Sequence, residues 1–222
     1  PMTILSGLLS QDEARALYAA GDAAHDFDHV LRVATLAVRL AEDEGADVDI
    51  VRLAAYLHDV PVDALETSGR GMQRSAHHLA AADFARDLLT QRGVGNQTTD
   101  EVVHCIEAHR FRDQSIAPQT LEAQCLYDAD KLDSMGAIGI ARCFAFGGAH
   151  DSRLWTEPWP EAPADDAQPS GADYTPVHEY VYKLRRLLAT LHTASARRIG
   201  AERHEFMQTY FDQLDAEMTG RA

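Results

Sequence analysis

The chain has 222 residues, 45% of them hydrophobic, and a formal net charge of −15. That length suits one domain, or one domain with a long insertion, and the apolar fraction is enough for a real core. The negative charge argues against a nucleic-acid-binding surface, which needs phosphate-neutralising Lys and Arg. It leaves room for a small anionic substrate where a metal ion inverts the local field.

Alternating β-branched runs are missing and Ala, Leu, Arg and Glu are plentiful, so the expected fold class is all-α. A first helix is expected over about Ser10–Ala20, with Ser10 as cap and Glu13 completing a capping box. In "HDFDHVLRVATLAVRLAEDEG", Asp26 or Asp28 caps a helix beginning near His29. Val30, Val33, Ala34, Ala37 and Leu40 form its apolar stripe, which turns His29 inward, and Gly45 ends it. Asp49 is expected to cap the next helix, which closes on "LHDV". There His58 and Asp59 stand side by side after an apolar run. Burying an imidazole and a carboxylate unpaired costs several kcal/mol. A divalent cation that takes both as ligands removes that cost.

Residues 60–74 read as a loop at the mouth of this corner. A helix over about Ser75–Arg92 follows, with Ala81, Ala82, Ala85 and Leu88 as its small-residue face. Thr99 or Asp100 starts a helix carrying His104 and His109. The segment after Tyr127 is helical in pattern and holds three acids, Asp128, Asp130 and Asp133, in an apolar setting that asks for a cation or donors. Residues 147–176 shift to Pro, Asp, Ala, Gly and Trp, and Trp155 and Trp159 favour a partly ordered lid. Residues 177–219 read as one or two long C-terminal helices, so the whole of 1–222 is expected to form one domain with its core in 10–146.

The three cysteines, Cys105, Cys125 and Cys143, are scattered without a CxxC pair, as expected of free thiols in a cytoplasmic protein. No signal peptide is visible and no apolar run approaches about 18 residues, so no membrane span is expected. Pro1 before Met2 reads as a cloning remnant, with Met2 as the native start.

The order His29, His58-Asp59, Asp130 puts two imidazoles and two carboxylates on three helices. Such a mixed N and O set is too hard for a Cys-type structural zinc site. It suits Mn, Fe, Co, Ni or Mg and leaves positions open for water and a substrate oxygen. With "HDFDHVLRV", "LHDV", "IEAHRF" and "DADKLDSMGAIGIAR" in this order, the sequence resembles the HD superfamily of metal-dependent phosphohydrolases, whose signature is H…HD…D. It looks most like the small bacterial members that cleave nucleotide phosphates. The likeness runs from about His25 to Met218.

The resemblance implies an all-α HD-domain bundle with a divalent ion held by His29, His58, Asp59 and Asp130. It selects Asp130 over Asp128 and Asp133. Some members hold a second ion with two further His from the intervening helices; His77 and His109 stand near those places. Relatives often follow the HD pair with an acid and a Lys, whereas "VPVDAL" offers Asp63 and no Lys. The expected chemistry is hydrolysis by a metal-activated water. Asp59, Lys131 and His25 are the candidate catalytic residues, and Arg74, Lys183 and Arg203 the candidate substrate contacts. The expected substrate is a nucleotide or another small phosphorylated metabolite, with pyrophosphate release from nucleoside triphosphates as one form. No nucleic-acid polymer or membrane partner is expected, and the chain is taken as a monomer or homodimer. Two other readings stay open: a diiron oxygenase of the two-metal HD type, and a non-catalytic nucleotide-binding regulatory module.

Overall fold

A computed structural model of the chain describes residues 5, 7–18, 27–62, 77–111, 115–161 and 171–222. Among them are nine α-helices, one 3₁₀ helix and no strand. Two compact units divide at Asp130, Pro1–Asp130 and Lys131–Ala222.

In the first unit, α1 (Gln11–Leu17) begins as the sequence predicts: Glu13 N donates to Ser10 Oγ, and the Glu13 carboxylate accepts from Ser10 N. Helix α2 (Phe27–Glu44) buries His29, Val30, Val33, Ala34, Ala37, Leu40 and Ala41, one continuous stripe at helical spacing. Helix α3 (Val48–Leu57) starts two residues earlier than Asp49 would allow. Asp47 is the cap, because its carboxylate accepts from both Asp49 N and Ile50 N. Asp49 instead holds Arg52 at 2.6 Å.

Helix α4 (His77–Gln91) and α5 (Asn96–Glu107) pack on each other and on α3, which also packs on α1 and α2. The buried face of α4 is Ala81, Ala82, Ala85 and Leu89, with Leu88 turned aside; 85 and 89 are a full turn apart, and 88 is not on that line. Gly95 caps α5 with no side-chain cap bond, so the helix starts at Asn96, three or four residues before the predicted start. The helix stops at Glu107, so His109 lies just past its end rather than inside it. Helix α6 (Leu121–Asp133) starts earlier than Tyr127 and carries the chain across the division between the units.

In the second unit the predicted run through "DKLDSMGAIGIAR" is broken. Gly136 has φ of +68°, a conformation that side chains strain to adopt, and a separate helix, α7 (Gly136–Ala149), starts there. An added Cβ at Gly136 would lie 3.0 Å from Arg203 Cγ. The described parts of 150–175 carry no helix. They are tied together by Arg153 N donating to Ala172 O and by Thr156 Oγ1 donating to Asp173 O. After α8 (Pro176–Tyr182) the predicted long helix tightens into a 3₁₀ helix (Leu184–Thr190) and restarts as α9 (Ala194–Met218), capped by Thr193. At Gly200 the helix runs close to Leu191 and Leu188: an added Cβ would lie 2.5 Å from Leu191 Cδ1 and 3.1 Å from Leu188 Cδ1, so a larger residue there requires those side chains to shift. No described helix is long and apolar enough to cross a membrane.

Candidate metal centre

The centre is built inside the first unit from the ends of helices. His58 sits at the C-cap of α3, where the last carbonyls of a helix have no partner within it. Its ring folds back so that Nδ1 lies 2.8 Å from Ala55 O. A carbonyl only accepts, so Nδ1 carries the hydrogen and Nε2 keeps its lone pair. His109 repeats the device at the end of α5, with Nδ1 2.6 Å from Ile106 O. Both residues bond the carbonyl three positions back, and both aim Nε2 away from their own helix. Their rings meet edge to face at 5.1 Å.

Between these nitrogens lies Asp59. Its Oδ2 faces His58 Nε2 at 3.5 Å and His29 Nε2 at 3.8 Å. Its Oδ1 faces His109 Nε2 at 3.6 Å. Asp130 on α6 closes the group, with Oδ1 3.5 Å from His29 Nε2. One donor atom from each of His29, His58 and Asp130 lies within 4.8 Å of the others. The three imidazoles are buried, while the Asp59 and Asp130 side chains keep 22% and 16% of their surface. Among the described residues of the group, the solvent-facing part is its two carboxylates.

Burial pushes the His58 imidazole down to about 4, against the opposing pull of Asp59. Burial would raise the Asp59 carboxyl, but His58, His109 and His29 together outweigh it and hold the group well below the usual carboxylate range. At neutral pH the site thus sets a neutral His58 imidazole beside an ionised Asp59 carboxylate, the protonation that metal binding requires.

The residues fit a divalent ion. His58 Nε2 is buried with no hydrogen-bond partner, a condition that costs about 1–3 kcal/mol unless something is bound there. Donor atoms about 2.1 Å from one ion stand roughly 3 to 4.2 Å apart in octahedral arrangement. The contacts of 3.5 and 3.8 Å fall in that range.

The remaining predicted residues lie elsewhere or outside the described residues. His25 and Arg74 lie outside them, as does the side chain of His77. Buried His78 also sets its ring beside His109, centroid to centroid 6.3 Å. Lys131 follows Asp130 on α6 and is buried. Lys183 pairs with Glu179 at 2.9 Å. Arg203 turns its guanidinium onto the Leu132 carbonyl, and its stem covers Gly136. Asp133 pairs with Arg142 at 2.7 Å, and Asp128 is fully buried in α6.

Comparison with known proteins agrees with this geometry. The HD domain family matches residues 26–135. YpgQ of Bacillus subtilis is 34% identical over 199 residues, which cover 88% of this chain and 85% of YpgQ. The crystal structure of YpgQ in complex with ADP superposes with a TM-score of 0.68 at 30% identity, covering 93% of this chain and 92% of that one. An HD-superfamily hydrolase from Bacillus thuringiensis gives a TM-score of 0.66 at 27% identity, over 94% of both chains. With the likeness to YpgQ running over 85% of its length and the H…HD…D residues gathered at one centre, the chain belongs to the HD superfamily.

Proposed function

We propose that the chain is a metal-dependent phosphohydrolase whose substrate is a nucleotide or another small phosphorylated metabolite, with pyrophosphate release from nucleoside triphosphates as one form. The observation that carries the reading is the buried, partnerless His58 Nε2 set against the carboxylate of Asp59. His29, His58, Asp59 and Asp130 would hold the ion, which when bound supplies neutralisation of phosphoryl charge and acidification of a water. The binding of ADP by YpgQ supports a nucleotide as the ligand.

The chain's own groups do the positioning. Ala55 O locks the His58 ring, so its Nε2 needs no reorientation on loading. Asp59 offers one oxygen to the His29 and His58 side and the other to His109. His109 Nε2, with its lone pair inward, accepts a hydrogen from a water lying beside Asp59 and so orients it. The open carboxylate side admits the anionic substrate only once the ion offsets the two negative charges.

A second reading, a dinuclear centre, is favoured by the split of Asp59's oxygens and by His78 beside His109. It also carries the oxygenase alternative, which needs two irons. Metal-free protein is reloaded with Mn, Co, Ni or Mg and given a panel of nucleotides and phosphoesters. The proposal expects phosphate or pyrophosphate release that disappears with EDTA and in Asp59→Ala. No release from any substrate, with two irons per chain and oxygen uptake, would replace it with the oxygenase. Tight nucleotide binding without turnover, unchanged in Asp59→Ala, would replace it with the regulatory module.

A further inference from the structure

We propose that Tyr18 is a positioning residue of the metal centre, a strut between the helix that carries His29 and the helix end that carries His58 and Asp59. The proposal rests on the metal reading above. The last turn of α3 leaves carbonyls that its own helix cannot satisfy. Ala55 O takes the His58 ring and Leu57 O takes Val60 N. Tyr56 O, two residues before His58, takes the hydroxyl of Tyr18 at 2.9 Å. Of these three bonds, only Tyr18's comes from a distant part of the chain.

The same ring contacts the other ligand helix. Tyr18 lies 5.6 Å from Phe27, centroid to centroid. Phe27 is the first residue of α2, two before His29. Arg15 covers the Phe27 ring from α1, its guanidinium carbon 4.6 Å from the centroid. Tyr18 and Phe27 are both buried. One side chain therefore fixes the residue two before each ligand position, the ring on α2 and the hydroxyl on α3. Contacts of 3.5 to 3.8 Å among His29, His58 and Asp59 depend on that spacing.

The test is cobalt affinity, measured on the whole chain by competition with a chromophoric chelator, together with the visible spectrum of the cobalt-loaded protein. Tyr18→Phe keeps the ring and removes the hydroxyl; Tyr18→Leu removes both. Thr35→Val is the control, since it deletes a hydroxyl bonded to Leu31 O on α2 and touches no ligand. The expected result is a dissociation constant raised about three- to tenfold in Tyr18→Phe, as for one lost hydrogen bond, with an altered spectrum and recovery of activity at excess cobalt. Thr35→Val stays within about twofold of wild type. Tyr18→Phe within about twofold of wild type with an unchanged spectrum overturns the proposal, even if its Tm falls. If Tyr18→Leu does not fold, Tyr18→Phe decides alone. A wild-type chain that takes up no cobalt fails at the metal reading itself, which is a different result from equal binding by wild type and Tyr18→Phe.

Discussion

Asp59→Asn isolates the charge at the middle of the site while keeping its shape. In the metal-free protein the carboxylate stands 3.5 to 3.8 Å from three imidazole nitrogens. An amide of the same size fills that space and no longer has to bury a negative charge. Metal-free stability should therefore change by less than about 1 kcal/mol, in either direction. Loading is another matter. Two unit charges about 4 Å apart in surroundings of effective dielectric 20 interact by about 4 kcal/mol, and a dication doubles that. The amide oxygen still serves as a neutral donor and recovers part of it. A net loss of about 3 kcal/mol or more raises the metal dissociation constant at least about 100-fold. The assay is thermal unfolding of stripped protein titrated with manganese or cobalt. At about 100 times the dissociation constant the ion stabilises wild type by about 2.7 kcal/mol, or roughly 5–10 °C in Tm for a chain of this size. Asp59→Asn should show nearly none of that shift. A wild-type Tm that ignores metal, or an Asp59→Asn shift equal to wild type, would refute the reasoning.

His58 makes metal-free stability depend on acid. Its folded value of about 4 lies below its unfolded value of 6.5, so the unfolded chain takes the proton first as pH falls. The stability is fully present above about 6.5 and is lost progressively down to about 4, by about 3 kcal/mol in all. Urea unfolding at several pH values should show this slope in wild type and a flatter one in His58→Gln. Arg203→Ala removes the bond to Leu132 O and the stem over Gly136. It should cost about 1–3 kcal/mol in unfolding free energy with an unchanged KM for nucleotide; a raised KM at unchanged Tm would make Arg203 a substrate contact instead. If the dinuclear reading holds, His78→Ala and His109→Ala each lower the metal content from two ions per chain to one, read by elemental analysis.

The helical class, the stripe of α2 and the capping box of α1 were legible because each is a local pattern. The gathering of His29, His58, Asp59 and Asp130 was legible only through the H…HD…D likeness, since spacing along a chain does not fix which helices meet. Boundaries failed where one residue does the work of several: Asp47 rather than Asp49 at α3, and Gly136 interrupting an apolar run that looks continuous. His109 past the end of its helix had a usable signal, shared with His58. A histidine at or just beyond a helix C-terminus can bond the carbonyl three residues back and turn its other nitrogen outward. The strut from Tyr18 had none, because a phenol donating to a backbone carbonyl leaves no mark on the sequence at Tyr56.

The most direct measurement of the central claim is the metal content of the chain, taken by elemental analysis on wild type, His58→Ala and Asp130→Ala, beside phosphate and pyrophosphate release from a nucleoside triphosphate. The account predicts about one transition-metal ion or more per wild-type chain, a large loss in both variants, and release that tracks the metal and stops with EDTA. Hydrolysis that persists in metal-free protein and in both variants would contradict it.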